Sequence, residues 1–228
     1  MNKTQYVREC LLEHPLLIPK LIKNPSFDPK ITKGILYDMI PVRSSIEIEC
    51  FNSLSRVYNQ RDFPTMAKKY DILTYRDDRS TGSQYCEHRL SIQNYSQASG
   101  LYKALLDMKK HCQLNPGSGI HIHINAPKIS NIPSIEYNRE FRNKIVIFFN
   151  SRFDQIEELF GKYTGTYNEK SVRFENKGSW INIRYYTFSS IEFRTAPMTF
   201  EYTTIIKWII GCNKIVKDLH KELKLPYQ

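Results

Sequence analysis

The sequence has no CxxC pair, no apolar run long enough to span a bilayer, and fewer acids than bases. Each shortage removes a class of protein. The five cysteines, Cys10, Cys50, Cys86, Cys112 and Cys212, are odd in number and widely scattered, which argues against a disulfide framework and reads as reduced thiols. Nothing approaches the roughly 18 apolar residues of a membrane helix, and the N-terminus has no signal-peptide core. A soluble, cytoplasmic protein is expected. The glycine-rich turns of two nucleotide folds are also missing, since neither GxxxxGK[ST] nor GxGxxG occurs. No G-x-S-x-G elbow supports a serine triad, and no internal repeat or low-complexity tract appears.

What is present is enough for a packed core. The chain has 228 residues, is 41% hydrophobic, and carries 15 tyrosines and 12 phenylalanines. That length buries a substantial interior without disulfides or structural metal. Basic residues outnumber acidic ones 33 to 23, a net charge of +10. Excess positive charge attracts polyanions. It is spread along the chain, in short pairs such as Lys68-Lys69 and Lys109-Lys110, so nucleic-acid binding is weakly supported though not removed.

Residues 1–43 read as a helical and irregular appendage, a short amphipathic helix around YVRECLLE followed by a stretch cut up by Pro15, Pro19, Pro25 and Pro29. Residues 44–228 read as the main domain. SSIEIECF, KYDILTY, YCEHRLSI, GIHIHIN, SWINIRYY and SIEFRTA have strand character, the last two as a hairpin through Thr187-Phe188-Ser189. Three helices are expected. One carries Ala98, Leu101, Leu105, Met108 and Cys112 on one face, with Ser96 as its N-cap. The second runs through REFRNKIVIFFNSRFDQIEELF to a C-cap at Gly161, and the third carries Ile205, Ile209, Cys212, Val216 and Leu219. The fold class is α+β, mainly antiparallel sheet with helices on one face.

Side chains two apart on a strand share a face. Sorted this way, five strands agree. Ile46 and Ile48 oppose Glu47 and Glu49; Leu90 opposes Glu87 and Arg89; Ile120, Ile122 and Ile124 oppose His121 and His123. Ile181 and Ile183 oppose Trp180, Asn182 and Arg184, and Ile191 and Phe193 oppose Glu192 and Arg194. If these strands form one sheet, its second face gathers four glutamates, two histidines and three arginines. Glutamate is disfavoured in strands, and adjacent like charges repel unless something positive lies between them. Carboxylates with imidazole suit Mg²⁺, Mn²⁺ or Zn²⁺. Interleaved arginines suit phosphate oxygens. Together they point to phosphoryl transfer from a nucleotide.

The ordered set EIE, GSGIHIHI and IEFR resembles the carboxylate–amine ligases related to glutamine synthetase and γ-glutamylcysteine ligase, closest to their small amidoligase branch, over about residues 44–220. The resemblance implies a curved antiparallel sheet whose concave face binds ATP with Mg²⁺ or Mn²⁺. ATP phosphorylates a carboxylate, and an amine attacks the acyl phosphate to form an amide. It further implies Glu47, Glu49, Glu87, His121, His123 and Glu192 as metal ligands, His121 being the better match of the two histidines. Glu192 and Arg194 would be catalytic, with Arg194 on the transferring phosphoryl group. Arg173 and Arg184 would bind nucleotide, and Asn182 and Arg89 substrate. The partners would be a small-molecule or peptide carboxylate, glutamate-like, and an amine, with no membrane. Two other readings stand beside this one. H-x-H on a strand can present two imidazoles to one Zn²⁺ in a hydrolase, and a degenerate sheet face could serve as a non-catalytic basic binding module.

Overall fold

The computed structural model describes residues 3–23, 29–51, 73–77, 85–93, 97–114, 119–126, 129, 138–161, 169–175, 178–184 and 189–227. Its strands are β1 (Ser44–Phe51), β2 (Leu73–Asp77), β3 (Tyr85–Ile92), β4 (Gln113–Leu114), β5 (Gly119–Asn125), β6 (Glu169–Phe174), β7 (Ser179–Arg184) and β8 (Ser190–Pro197). They form one mixed, mostly antiparallel sheet in the order β2-β3-β1-β5-β8-β7-β6, with β4 pairing β1. Among the described residues the one parallel pairing is β6 with β7 at the edge. The fold class is α+β, as the alternation predicts. The short strand β4 and the edge strand β6 carry no clear alternation and were not anticipated.

The strand boundaries follow the residues. β1, β3 and β5 span SSIEIECF, YCEHRLSI and GIHIHIN, the alternating stretches expected for strands. Ile46, Ile48, Ile120, Ile122, Ile124, Ile181, Ile183, Ile191 and Phe193 are fully buried on one face. Over that face lie α4 (Ala98–His111), α5 (Arg139–Asn150), α6 (Phe153–Phe160) and α7 (Tyr202–Glu222). The apolar stripes expected for α4 and α7 are buried in full. Phe149 and Phe160 meet Phe193 of the sheet, and Trp208 of α7 meets Phe160 and donates to the Leu159 carbonyl at 2.9 Å.

The second expected helix is two. The carbonyl of Phe148 accepts from Ser151 Oγ at 2.8 Å and from Arg152 Nη1 at 3.1 Å. An unbroken helix would give that carbonyl the Arg152 backbone N–H, which instead goes to Phe149 at 2.9 Å. The ladder breaks there, and α6 starts at Phe153. Gly161 caps α6 at φ 82°, a conformation glycine adopts without penalty. The expected N-cap Ser96 and the hairpin residues Thr187 and Phe188 lie outside the described residues.

Of the N-terminal prolines, Pro15 stands in a break between helices as expected, Pro25 lies outside the described residues, and the other two do not interrupt helices. Pro29 is the first residue of α3 (Pro29–Met39) and Pro19 sits in the first turn of α2 (Leu17–Lys23), where no intrahelical N–H bond is lost. With α1 (Lys3–Glu13), these helices send Leu11, Ile18, Leu36 and Met39 into the same hydrophobic cluster as the sheet. Among the described residues no helix is long and apolar enough to cross a membrane.

Candidate metal and anion site

The sheet order places five charged strands side by side as β3-β1-β5-β8-β7. Register then fixes the neighbours. Glu47 stands between Arg89 of β3 and His121 of β5. His123 is opposite Glu192, and Glu192 is opposite Asn182 of β7. Glu49 and Glu87 are cross-strand partners on the same face, although their side chains lie outside the described residues.

The side chains converge. His123 Nε2 lies 3.1 Å from Glu47 Oε1 and 3.9 Å from Glu192 Oε1. His121 Nδ1 lies 3.5 Å from each of the two carboxylates. One ligand atom each from Glu47, His123 and Glu192 falls within 4.8 Å of the others. Arg194 Nη1 reaches the same Glu192 Oε1 at 2.5 Å. Asn182 Nδ2 and Arg184 Nη1 reach Glu192 Oε2 at 2.8 and 3.3 Å. Arg89 contacts Glu47 at 3.4 Å and donates from Nε and Nη2 to Ser45 Oγ at 3.2 and 3.1 Å.

The carboxylates and imidazoles are buried, and the three arginines are half-buried around them. Glu47 is 7% exposed and Glu192 0%. Burial alone drives carboxyl pKa values up, because it penalises the charged form. At Glu47 it is outweighed by the charge of His123 and by hydrogen bonds from both imidazoles, which hold the carboxyl far below its ordinary range. At Glu192 burial is outweighed by His123, His121 and Arg194 against the repulsion of Glu47, leaving it at about 2. Both stay ionised at neutral pH. Two buried carboxylates beside two imidazoles are a donor set that fits a divalent cation. Ser190 Oγ sits 3.3 Å from His123 Nδ1, the kind of outer contact that fixes an imidazole so its other nitrogen faces a ligand.

The structure brings together Glu47, His121, His123, Glu192, Arg194, Arg184, Asn182 and Arg89. His123 rather than His121 makes the nearest approach to a carboxylate. Arg173 stands opposite Asn182 in the β6–β7 pairing, one strand further out, and its guanidinium bonds Glu169 on its own edge strand at 2.7 Å. Trp180, which alternation puts beside Asn182, instead meets Phe153 of α6 edge-on, where Lys170 and Ser171 of β6 bulge opposite it. Sequence reasoning missed Ser45 and Ser190. Each stands two residues before a site glutamate on the same face, so the alternation that found Glu47 and Glu192 also carried the signal for them. Glu175, which pairs with Arg184 Nε at 3.2 Å, had no such signal. No family model and no curated protein matches the chain.

Proposed function

We propose that the chain is an ATP-dependent carboxylate–amine ligase with a glutamine-synthetase-like sheet, of the small amidoligase kind. One observation carries the reading. Two buried carboxylates from strands separated by β5 meet over two imidazoles on one sheet face, and arginines hold both oxygens of Glu192, Arg194 the Oε1 that faces the imidazoles and Arg184 the Oε2 that does not. Glu47, His123 and Glu192 would hold Mg²⁺ or Mn²⁺, with His121 beside them and Glu49 and Glu87 further along β1 and β3. The cation would supply screening of polyphosphate charge. Arg194 and Arg184 are placed to bind phosphoryl oxygens, and partial burial strengthens such contacts. Asn182 keeps Glu192 aimed at the centre. The chemistry is transfer of the terminal phosphoryl group of ATP to a glutamate-like or peptide carboxylate, followed by amine attack and loss of phosphate, giving an amide.

Calorimetric titration of ATP, with and without Mg²⁺, into wild-type protein and into Glu47→Gln/Glu192→Gln tests it. Metal-dependent nucleotide binding that vanishes in the double variant is expected. Wild-type protein that binds no nucleotide under any divalent metal, yet retains stoichiometric Zn²⁺, would sink the ligase reading in favour of a zinc hydrolase. In that reading Glu47 and Glu192 supply the acids that the H-x-H strand lacks.

A further inference from the structure

Along β8 the alternation of faces is broken once, beside the site. Ile122 pairs with Phe193, and the next paired residues are Ile120 and Ala196. One residue of β5, His121, therefore faces two residues of β8, Arg194 and Thr195. That is a β-bulge, and it changes which side chains share a face. Phe193 points to the helices, where it meets Phe149 and Phe160. Its neighbour Arg194 consequently points to the charged face. Ala196 is fully buried in the helix-side core opposite Ile120. Its neighbour Thr195 must then also point to the charged face. A regular strand would have put position 195 in the core, so the extra residue delivers two consecutive side chains to the site, both opposite His121.

Thr195 is only 2% exposed, and its Oγ1 has no hydrogen-bond partner among the described residues. A buried hydroxyl left without a partner is a net cost to folding, because its hydration is lost and nothing replaces it. Valine has the same shape and a better strand propensity, so packing alone does not account for threonine here. The hydroxyl belongs to the residue after Arg194, in the bulge that faces His121.

We infer that Thr195 is a binding residue of this site, its hydroxyl donating to an oxygen of the phosphate group that Arg194 holds. The ligand class is a phosphate anion, as in a nucleotide polyphosphate. The inference rests on the phosphate reading above. The hydroxyl contributes directed recognition and Arg194 contributes charge, and the bulge is what allows both from adjacent positions.

The test compares wild type, Thr195→Val and Thr195→Ser. Melting temperature is measured without ligand, and calorimetry is run with Mg²⁺–ATP and with pyrophosphate. Valine should leave the ligand-free protein as stable or more stable. It should weaken both ligands by about tenfold or more, the worth of a hydrogen bond to a charged group, whereas serine should keep most of the affinity. Valine binding as tightly as wild type would overturn the inference and leave the ligase reading standing. So would serine losing as much as valine, because a retained hydroxyl would then restore nothing. A ligand-free valine variant that is markedly less stable would reveal a structural partner for the hydroxyl, again overturning it. Wild-type protein that binds neither ligand would overturn the phosphate reading itself, and the ligand assigned to Thr195 with it.

Discussion

Glu192 and Phe193 are neighbours on β8 and both are 0% exposed, yet their burial is sustained in opposite ways. Phe193 is held by other apolar groups, chiefly Phe149 and Phe160, in a core where any partner of suitable shape would serve. Glu192 is held by Arg194, Arg184 and Asn182, each aimed at one of its two oxygens. A buried charge is tolerated only when paired and hydrogen-bonded. The same alternation of residues builds one face whose members are replaceable in kind and another whose members depend on named partners. Stability considerations alone favour the first kind of face, so the second calls for a functional explanation.

The sharpest way to break that contrast is to truncate each neighbour. Phe193→Ala should cost about 3–5 kcal/mol through the cavity it leaves, while Mn²⁺ affinity of the folded fraction survives. Glu192→Ala should cost a similar amount, about 3–5 kcal/mol, because Arg194 and Arg184 lose their counter-charge. It should also abolish Mn²⁺ binding. Chemical denaturation with calorimetry on both variants checks this; unimpaired Mn²⁺ binding in Glu192→Ala would remove the distinction between the faces.

Acid should act on one face only. The folded carboxyls of Glu47 and Glu192 titrate below the ordinary value of 4.5, Glu192 at about 2. Their contribution to stability is therefore full above 4.5 and is lost as pH falls through the folded values. Each group adds a slope of up to about 1.4 kcal/mol per pH unit in that window. Denaturation midpoints measured between pH 5 and pH 2 should fall less steeply for Glu192→Gln than for wild type. Parallel curves would place the proton uptake elsewhere.

Smaller effects sharpen the picture. Ser190→Ala removes the contact on His123 Nδ1 and should weaken Mn²⁺ binding by about tenfold with little change in stability. Gly211→Ala probes the helix side, where an added Cβ would lie 2.6 Å from the end of the Leu159 side chain. Leu159 is partly exposed and can yield, so the packing cost and the helix-propensity gain should nearly cancel, within about 1 kcal/mol. Metal affinity should not move at all.

Much of this was legible in the residues because a strand alternates with a fixed period. Ile46 and Ile48 against Glu47, and the isoleucines against His121 and His123, declare two faces without any knowledge of partners. The long stripes of α4 and α7 are equally plain. Three features were not legible. The break after Phe148 depends on Ser151 and Arg152 competing for one carbonyl, a local contest that hydrophobic spacing does not register. Arg173 shares a strand-like pattern with the site arginines, but its strand is at the sheet edge, and order within a sheet is not written in any one strand. The bulge at Arg194–Thr195 depends on pairing with β5; the two consecutive polar residues in IEFRTA interrupt the alternation without saying which face receives them.

Sheet order also governs when the site can exist. Glu47 and Glu192 reach each other only through β5, and β1, β5 and β8 are drawn from distant parts of the chain. An unfolded or half-assembled chain has no such centre, so anything that binds it binds the native state alone. By mass action, a ligand at a hundred times its dissociation constant then raises unfolding free energy by about 2.7 kcal/mol. For a domain of this size, about 2.7 kcal/mol moves the melting temperature by several degrees. Thermal shift measured across metals, nucleotides, carboxylates and amines therefore becomes a direct assay of what the protein recognises, before any turnover has been found.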